Sequence, residues 1–290
     1  MVSTLYGKPY PSLPEVIFRD LVKRTLAEDL GSGGDITSER LINQDLEISA
    51  EIVARGPGML AGDSVAALTF KTVDPNLSID QHVSDGEVLA RGTVVAEIKG
   101  LARSILSAER TALNFLGHLS GIATATHRMV TAVVNTKSKI CCTRKTTPGL
   151  RGLEKYAVRI GGGVNHRFGL DGGILIKDNH IAIAGGITDA LELVGDTGPD
   201  IGLEIEVDSL DQLKEALEFG AKSILLDNMS NEMLIEAVRI NDGQAFLEAS
   251  GNVTLGSVEG IASTGVDYIS SGWITHSAPV LDFGLDVTHR

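Results

Sequence analysis

A dense block of cations stands out in a chain that is otherwise acidic. The 290 residues carry a formal net charge of -13, yet residues 139–177 hold eight Lys and Arg against two acids, a local balance of +6. The eight cations are Lys139, Arg144, Lys145, Arg151, Lys155, Arg159, Arg167 and Lys177. Surface cations of an acidic protein are normally interspersed with acids, so a block of one sign predicts a binding site for an anionic ligand.

The types of polar residue in and after this block indicate what the ligand carries. Arg presents a planar fork that holds a carboxylate or phosphate through two hydrogen bonds, whereas Lys and His supply compact donors. Glu206 and Asp227 offer the hard oxygen ligands that suit Mg²⁺, although helix caps or ion pairs explain two acids equally well. The stretch SGN at 250–252 precedes a segment with helical periodicity, so we expect its backbone amides at a helix N-terminus. Helix N-termini are common binding sites for phosphate.

Composition excludes several classes of protein. The chain is 43% hydrophobic and 22% charged, which is typical of a folded globular protein. A pI of about 4.9 argues against binding to nucleic acid or to an anionic membrane, because both need a basic surface. The N-terminus has no signal-peptide pattern, so we expect a cytoplasmic protein. The only cysteines, Cys141 and Cys142, are too few for a disulfide framework or a metal cage, and we expect both to be buried and reduced.

The first part of the chain predicts a small unit of mixed helix and strand. Residues 14–30 have helical periodicity, with Gly31 just past the end and one apolar face made by Val16, Ile17, Leu21, Val22 and Leu26. The stretches EISAEIVAR, LSIDQHV and VVAEIKG alternate like half-buried strands. Residues 102–134 are predicted as mainly helical, with a break near Gly117 and Gly121 that would suit a domain boundary.

Beyond that helix, strands and helices alternate. The predicted strands are KICCT, GILIKD, GLEIEVD, SILLDN, AFLEAS and DYISSG, and helical segments such as LDQLKEALEFGA lie between several of them. Alternating β and α units predict a parallel sheet with right-handed crossovers, either open or closed into a barrel. Polar residues fall at the carboxyl end of each predicted strand. In barrels of this kind that end holds the catalytic residues, so positions far apart in sequence should converge on one mouth.

An ordered set of motifs gives this mouth a family resemblance. TRKTTPGLR, GGGVNHRFGL, LIKDNH, LEIEV, LLDNM, EASGN and SSGWITHSAP, together with EDLGSGGDIT and ERTALNFLGHLSGIAT, resemble quinolinate phosphoribosyltransferase, also called nicotinate-nucleotide pyrophosphorylase (carboxylating). The resemblance implies transfer of phosphoribosyl from phosphoribosyl pyrophosphate to quinolinate, with Mg²⁺, giving nicotinate mononucleotide, CO₂ and pyrophosphate. It also implies a homodimer with shared active sites. The implied fold is α/β: an N-terminal α/β sandwich over residues 1–118, completed by 276–290, and an open (β/α) barrel over 119–275.

The resemblance also implies roles for individual residues. Lys145, Lys177, Glu206 and Asp227 would form the catalytic set, with the last two towards the ribose and Mg²⁺. Arg110 would reach into the partner subunit's site. The implied substrate-binding residues are Arg110, Thr143, Arg144, His166, Arg167, Ser250, Gly251, Asn252, Ser270, Ser271 and Gly272. Arg144, His166 and Arg167 would lie nearest the quinolinate carboxylates, and the SGN and SSG loops would hold the 5-phosphate.

Two departures and several alternatives stay open on sequence alone. This chain has Asp171 then Gly172 where the family often has Asp at the second position, and Trp273 stands where a small residue is usual. His118 and His127 are expected to be structural, and His180 and His276 to cap or orient strand ends. Rival functions are an aldolase or decarboxylase that uses Lys177 as a Schiff-base nucleophile, a repurposed homologue with another substrate, and a nicotinate-specific transferase.

Overall fold

The computed structural model describes residues 13–198 and 201–289, and these form two compact units. The strands are β1 (Glu47–Ala54), β2 (Gly58–Met59), β3 (Ser78–Gln81), β4 (Val88–Leu89), β5 (Val94–Leu101), β6 (Lys139–Cys141), β7 (Ile174–Ile176), β8 (Leu203–Val207), β9 (Ser223–Asp227), β10 (Phe246–Ser250), β11 (Tyr268–Ser270) and β12 (Phe283–His289). The helices are α1 (Arg19–Leu30), α2 (Ile36–Leu41), α3 (Asp63–Val73), α4 (Ala102–Ala132), α5 (Arg151–Ile160), α6 (Asp178–Ala184), α7 (Ile187–Val194), α8 (Leu210–Phe219), α9 (Asn231–Asn241), α10 (Val258–Ala262) and α11 (Trp273–His276). Among these described segments, none of the helices is both long and apolar enough to span a membrane.

The first unit consists of residues 13–125, 152–161 and 278–289 and is built on an antiparallel sheet. The strand order is β12, β1, β5, β3, and β2 pairs with β4 as a separate ribbon. Ile48, Ala50 and Ile52 alternate along β1 and are buried, as expected for a sheet with one covered face. They form one apolar cluster with Phe70 of α3 and Leu116 of α4. The predicted N-terminal unit of helix and sheet is confirmed.

The opening helix is shorter than predicted. A 3₁₀ turn covers Glu15–Ile17, and α1 begins only at Arg19 because Phe18 departs from helical geometry, with φ -123° and ψ -9°. The prediction that Val16 and Ile17 share the buried face was therefore wrong, since they are 82% and 52% exposed. The buried face of α1 is made by Val22 and Leu26. Gly31 ends the helix, as predicted, with a φ of 54°.

One loop and two glycines have structural roles that the hydrophobic periodicity of the sequence does not reveal. The EDLGSGGDIT segment leads into α2, whose N-cap is Asp35, with Oδ1 accepting the Ser38 N–H at 3.0 Å. Helix α4 runs without interruption, so the break expected at Gly117 and Gly121 is absent. A Cβ at Gly117 would lie 2.7 Å from the Leu281 carbonyl oxygen, and one at Gly121 would collide with the Pro279 carbonyl oxygen. These glycines allow close backbone packing on an unbroken helix.

The second unit, residues Thr126–Arg151 and Gly162–Ser277, contains all six strands predicted for the later part of the chain. They form one sheet in the order β6, β11, β10, β9, β8, β7, and every neighbouring pair is parallel. In the described residues, β6 and β7 are the end strands and do not pair with each other. The α/β class with an open parallel sheet is confirmed.

Candidate active site

The carboxyl ends of all six parallel strands open into one cavity of about 490 Å³. Twelve of the predicted site residues line it: Thr143, Arg144, Lys145, His166, Arg167, Lys177, Glu206, Asp227, Ser250, Gly251, Asn252 and Ser270. The remaining lining residues are Leu175, Leu225, Asn228 and Glu248. A second cavity of about 250 Å³ shares residues with the first and adds Gly272, Trp273 and His276. The sheet thus brings together residues that are spread over more than a hundred positions of sequence.

Two predicted residues lie outside these cavities. Ser271 is 2% exposed, and its hydroxyl donates to the Val253 carbonyl oxygen at 3.0 Å. Arg110 belongs to the first unit, on α4, where its side chain is 65% exposed and its Nη2 lies 3.7 Å from Glu109 Oε1. The roles assigned to both residues by resemblance stay predictions.

Unpaired donors are concentrated in the main cavity. In the described part of the chain, four buried side-chain polar atoms have no hydrogen-bond partner: Thr126 Oγ1, Arg144 Nε, Arg167 Nε and Ser270 Oγ. Three of these four belong to residues that line the cavity. Because a buried polar group without a partner costs about 1–3 kcal/mol, such groups are rare in folded proteins, and a bound ion is one reason for them. Two guanidinium N–H groups and a hydroxyl are suited to an anion.

Arg167 is held in a demanding electrostatic position. It is 8% exposed, and its Nη1 donates to the Gly173 carbonyl oxygen at 2.5 Å. Burial, followed by the nearby Arg144 guanidinium, lowers the pKa of Arg167 from its ordinary value, while Glu204 acts in the opposite direction. Both lowering effects disfavour the cation, and a bound anion would offset both. The pair Arg144 and Arg167 therefore favours occupation by a negative group.

The acids of the cavity are tied to neighbouring residues. Lys177 Nζ donates to Glu206 Oε2 at 2.6 Å. Asp227 Oδ2 accepts from Asn228 Nδ2 at 2.7 Å. The Lys177 backbone N–H donates to His180 Nδ1 at 2.9 Å at the start of α6, which agrees with the expected orienting role of His180.

The SGN loop is fixed by the neighbouring strand end rather than by a helix. The next helix, α10, begins only at Val258, so the expectation of a helix N-terminus at 250–252 was wrong. The backbone N–H of Asn228 donates to the Ser250 carbonyl oxygen at 2.9 Å, and Asn252 Nδ2 donates to Asn228 Oδ1 at 3.1 Å. A Cβ at Gly251, whose φ is 103°, would collide with the Asn228 side chain. Glycine is required here for both conformation and space.

Both units of the chain match a known protein family. Residues 122–286 match the family described as quinolinate phosphoribosyl transferase, C-terminal domain, and residues 35–120 match its N-terminal domain. The chain belongs to the quinolinate phosphoribosyltransferase family. The resemblance predicted from the ordered motifs is confirmed.

Similar proteins extend over nearly the whole chain. A probable nicotinate-nucleotide pyrophosphorylase [carboxylating] of Bacillus subtilis is 43% identical, with 93% of each chain covered. The nicotinate-nucleotide pyrophosphorylase [carboxylating] of Mycobacterium leprae is 45% identical, with 93% of this chain and 96% of that one covered. The solved structure of nicotinate-nucleotide pyrophosphorylase from Francisella tularensis is 40% identical, with a TM-score of 0.92 over 97% of this chain and 100% of that one.

The two departures from the quinolinate phosphoribosyltransferase pattern have different settings. Asp171 is exposed and does not line the main cavity. A Cβ at Gly172 would lie 3.3 Å from Arg167 Cβ, so a larger residue there would press on the Arg167 side chain. Trp273 begins α11 and lines the second cavity together with Gly272.

Several residues of the site were not predicted. Glu204 and Glu248 lie in a buried layer at the main cavity, and His276 lines the second cavity. Asn228 accepts a hydrogen bond from Asn252 and so connects the ends of β9 and β10. The sequence carried one usable signal, because Glu204 and Glu206 are two positions apart on a strand and so share a face. The motifs LLDNM and SSGWITHSAP contained Asn228 and His276, but nothing in their spacing singled them out.

Four of the eight cations in the basic block do not line the cavity: Lys139, Arg151, Lys155 and Arg159. Arg151 donates to Thr146 Oγ1 at 3.0 Å and to the Phe168 carbonyl oxygen at 3.1 Å, so it braces two site loops. Lys155 is 3% exposed, so it does not lie on a solvated face of α5. His118 Nε2 lies 2.9 Å from Glu154 Oε1 within the first unit, as expected of a structural histidine. The anion site therefore uses only part of the charge excess.

Proposed function

We propose that this chain transfers phosphoribosyl from phosphoribosyl pyrophosphate to quinolinate and decarboxylates the product, giving nicotinate mononucleotide, CO₂ and pyrophosphate. One observation supports the proposal most directly: Arg144, Arg167 and Ser270 line a single cavity, and each has a buried side-chain polar atom without a hydrogen-bond partner. Both reactants are polyanions, and a site for them must hold donors that the protein itself leaves unused. Membership of the family and relatives with this activity in their names support the choice of reactants.

The two arginines are best placed to bind the quinolinate carboxylates. Guanidinium groups recognise carboxylates through parallel N–H donors, and the Nε atoms of both cavity-lining arginines have no hydrogen-bond partner in the protein. A substrate with two carboxylates matches two guanidiniums, whereas nicotinate with one carboxylate would leave one of them uncompensated. This asymmetry favours quinolinate over nicotinate as the acceptor.

The phosphoribosyl donor would occupy the side of the cavity formed by Lys145, Lys177 and the SGN and SSG loops. Ser270 offers its unpaired hydroxyl there, and Gly251 and Gly272 let the two loops pack closely against Asn228 and Lys145. Glu206 and Asp227 would hold Mg²⁺, since their carboxylate oxygens line the cavity and Mg²⁺ is usually bound by one or two carboxylates plus substrate phosphates. When bound, the ion would supply positive charge to the departing pyrophosphate.

The transfer needs positioning and charge more than proton removal. The pyridine nitrogen of quinolinate attacks the anomeric carbon with its own lone pair, and the bond from that carbon to pyrophosphate breaks with both electrons. Fixed cations around the leaving group stabilise it in the transition state. The carbon–carbon bond to the adjacent carboxylate then breaks, CO₂ leaves, and the electron pair stays on the ring carbon beside the cationic nitrogen. A proton taken up at that carbon completes nicotinate mononucleotide.

The Schiff-base alternative is less compatible with the site. A lysine nucleophile needs a free lone pair on Nζ, and Lys177 Nζ is bonded to Glu206 Oε2 at 2.6 Å. The site would have to break this ion pair before a carbonyl could react.

The direct test supplies phosphoribosyl pyrophosphate, Mg²⁺ and either quinolinate or nicotinate, and follows mononucleotide, CO₂ and pyrophosphate together. We expect equal amounts of all three from quinolinate and no mononucleotide from nicotinate. Arg144→Ala should lower kcat/KM for quinolinate by at least about a hundredfold, because it removes a charged hydrogen-bonding group from a buried site. A folded protein that binds the donor but uses neither acid would show that the site serves another substrate.

We also propose a homodimer in which Arg110 completes the partner subunit's site. Arg110 belongs to a family substrate motif, yet its side chain is 65% exposed. An exposed arginine on a helix can serve a second copy of the chain.

A further inference from the structure

A fully buried polar layer forms part of the wall of the main cavity. His166, Glu204 and Glu248 are 7%, 0% and 1% exposed, and one nitrogen or oxygen atom from each lies within 4.8 Å of the other two. His166 and Glu248 line the cavity directly, whereas Glu204 does not. Buried ionisable groups are expensive unless they are bonded, so a layer of this kind needs a reason.

The hydrogen bonds of the layer define how the histidine ring is used. The backbone N–H of Arg167 donates to His166 Nδ1 at 2.8 Å, so Nδ1 is an acceptor and the ring proton lies on Nε2. Nε2 then donates to Glu204 Oε2 at 2.9 Å. Glu204 Oε1 accepts from Ser223 Oγ at 3.0 Å. Both ring nitrogens of His166 are therefore occupied within the protein, although the family resemblance places this histidine beside a substrate carboxylate.

We propose that Glu204 and His166 are positioning residues that aim the Arg167 guanidinium at an acceptor carboxylate. Glu204 holds the Nε2–H, which leaves the Nδ1 lone pair facing the Arg167 backbone N–H. The arginine is then fixed at two points, by its backbone N–H and by the bond from Nη1 to the Gly173 carbonyl oxygen. Its Nε has no hydrogen-bond partner in the protein, and the residue lines the cavity. This inference rests on the proposed function, because it assigns the acceptor carboxylate to Arg167.

The geometry explains why a carboxylate, rather than an apolar side chain, contacts Nε2 of His166. Without an acceptor for Nε2–H the ring could carry its proton on Nδ1 instead, where Nδ1–H and the Arg167 N–H would be two donors facing each other. Glu204 excludes this arrangement. A glutamine can do the same, because its carbonyl oxygen accepts from Nε2–H while its amide donates to Ser223 Oγ.

The first experiment compares Glu204→Leu with Glu204→Gln and measures kcat and KM separately for quinolinate and for phosphoribosyl pyrophosphate. Leu should raise the KM for quinolinate at least about tenfold, the cost of losing one buried hydrogen bond, with little change in the KM for the donor. Gln should restore values close to those of the wild type. If Glu204→Leu keeps the wild-type KM for quinolinate, the proposal is wrong. An unchanged KM would instead agree with a His166 that donates directly to the substrate, because the substitution frees its Nε2–H for that bond.

A matched control is available in the other unit. Glu154 is also 0% exposed and also bonds a histidine, His118, at 2.9 Å, but it lies outside both cavities. Glu154→Leu should lower the thermal midpoint as Glu204→Leu does, without the selective rise in KM for quinolinate. An equal rise in both variants would show that destabilisation alone is responsible and would overturn the proposal.

Two further variants keep the test decisive if Glu204→Leu does not fold. His166→Gln can direct its amide N–H towards Glu204 but then has no acceptor at the position of Nδ1 for the Arg167 N–H, so the KM for quinolinate should rise about tenfold; a wild-type value would refute the link. In an Arg167→Ala background, His166→Gln should have no additional effect on that KM, because residues acting through one group are not additive. Additive effects would show a role independent of Arg167. A wild-type protein that uses no quinolinate at all would instead be a failure of the proposed function.

Discussion

At the scale of single residues, neighbouring serines show how the site separates binding from folding. Ser270 Oγ is buried without a partner, whereas Ser271 Oγ donates to the Val253 carbonyl oxygen at 3.0 Å. The two side chains have almost equal burial, 3% and 2% exposed. We propose that the Ser270 hydroxyl serves a ligand, whereas the Ser271 hydroxyl is used by the protein.

Ser270→Ala should therefore impair donor binding and leave folding almost unchanged. The hydroxyl contributes no bond to the folded protein, so the free energy of unfolding should change by no more than about 0.5 kcal/mol. Loss of a hydrogen bond to a charged group costs about 1.5 kcal/mol, so the KM for phosphoribosyl pyrophosphate should rise about tenfold. Steady-state kinetics and urea unfolding of the same preparations check both statements.

Ser271→Ala is the matched comparison for this prediction. Its hydroxyl bonds the Val253 carbonyl oxygen, so the free energy of unfolding should fall by about 1 kcal/mol. If the two variants lose stability equally, Ser270 Oγ has a partner within the folded protein and its assignment to the donor is wrong.

At the scale of elements, helix α2 depends on its N-cap. Asp35 accepts the Ser38 N–H, and Asp35 Oδ2 accepts from Ser107 Oγ at 3.2 Å. These bonds, led by that from Ser38, hold the pKa of Asp35 below its ordinary value. Because the folded pKa lies below the unfolded one, the stabilisation is fully present above the ordinary pKa of 3.8 and is lost as the pH falls through the folded value.

Substitution of Asp35 should consequently have an effect that depends on pH. Asp35→Ala should lower the free energy of unfolding by about 1 kcal/mol at pH 7, and the difference from the wild type should shrink as the pH falls below 3.8. Urea unfolding followed by circular dichroism across this range measures it. Asp35→Asn keeps a capping oxygen but cannot titrate, so it should stay close to the wild type at pH 7. A difference between Asp35→Ala and the wild type that does not vary with pH would contradict the cap.

The strands were predictable because their pattern is local. All six strands of the parallel sheet follow from short apolar runs, and the polar residues at their ends converge because parallel strands share a direction. The buried layer was not predictable in the same way. Glu204 matters through bonds to His166 and Ser223, which are 38 and 19 positions away. Helix boundaries also depended on contacts that no local pattern records, as Phe18 and Gly117 show.

At the scale of the whole molecule, the negative net charge of the chain contrasts with the cluster of cations in the cavity. A chain of net charge -13 repels polyanions, whereas the cavity presents Arg144, Lys145, Arg167 and Lys177. At physiological salt the field of distant acids is screened within about 8 Å, so a ligand in the cavity experiences mainly its immediate neighbours. The acidic surface can thus coexist with a site for two polyanionic reactants.

The proposed dimer makes the strongest prediction at this scale. If Arg110 serves the partner subunit's site and Arg144 its own, Arg110→Ala and Arg144→Ala should each be nearly inactive. Co-expression of the two variants should restore about a quarter of the wild-type activity per chain, because half of random dimers are mixed and each mixed dimer has one intact site. Activity of the co-purified mixture, with size-exclusion chromatography to measure its mass, is the test. The Arg110→Ala, Arg144→Ala double variant mixed with wild type is the control, since every mixed dimer then lacks Arg144 at one site and Arg110 at the other. If the two single variants mixed together stay inactive while dimers form, Arg110 acts within its own subunit and the shared site is wrong.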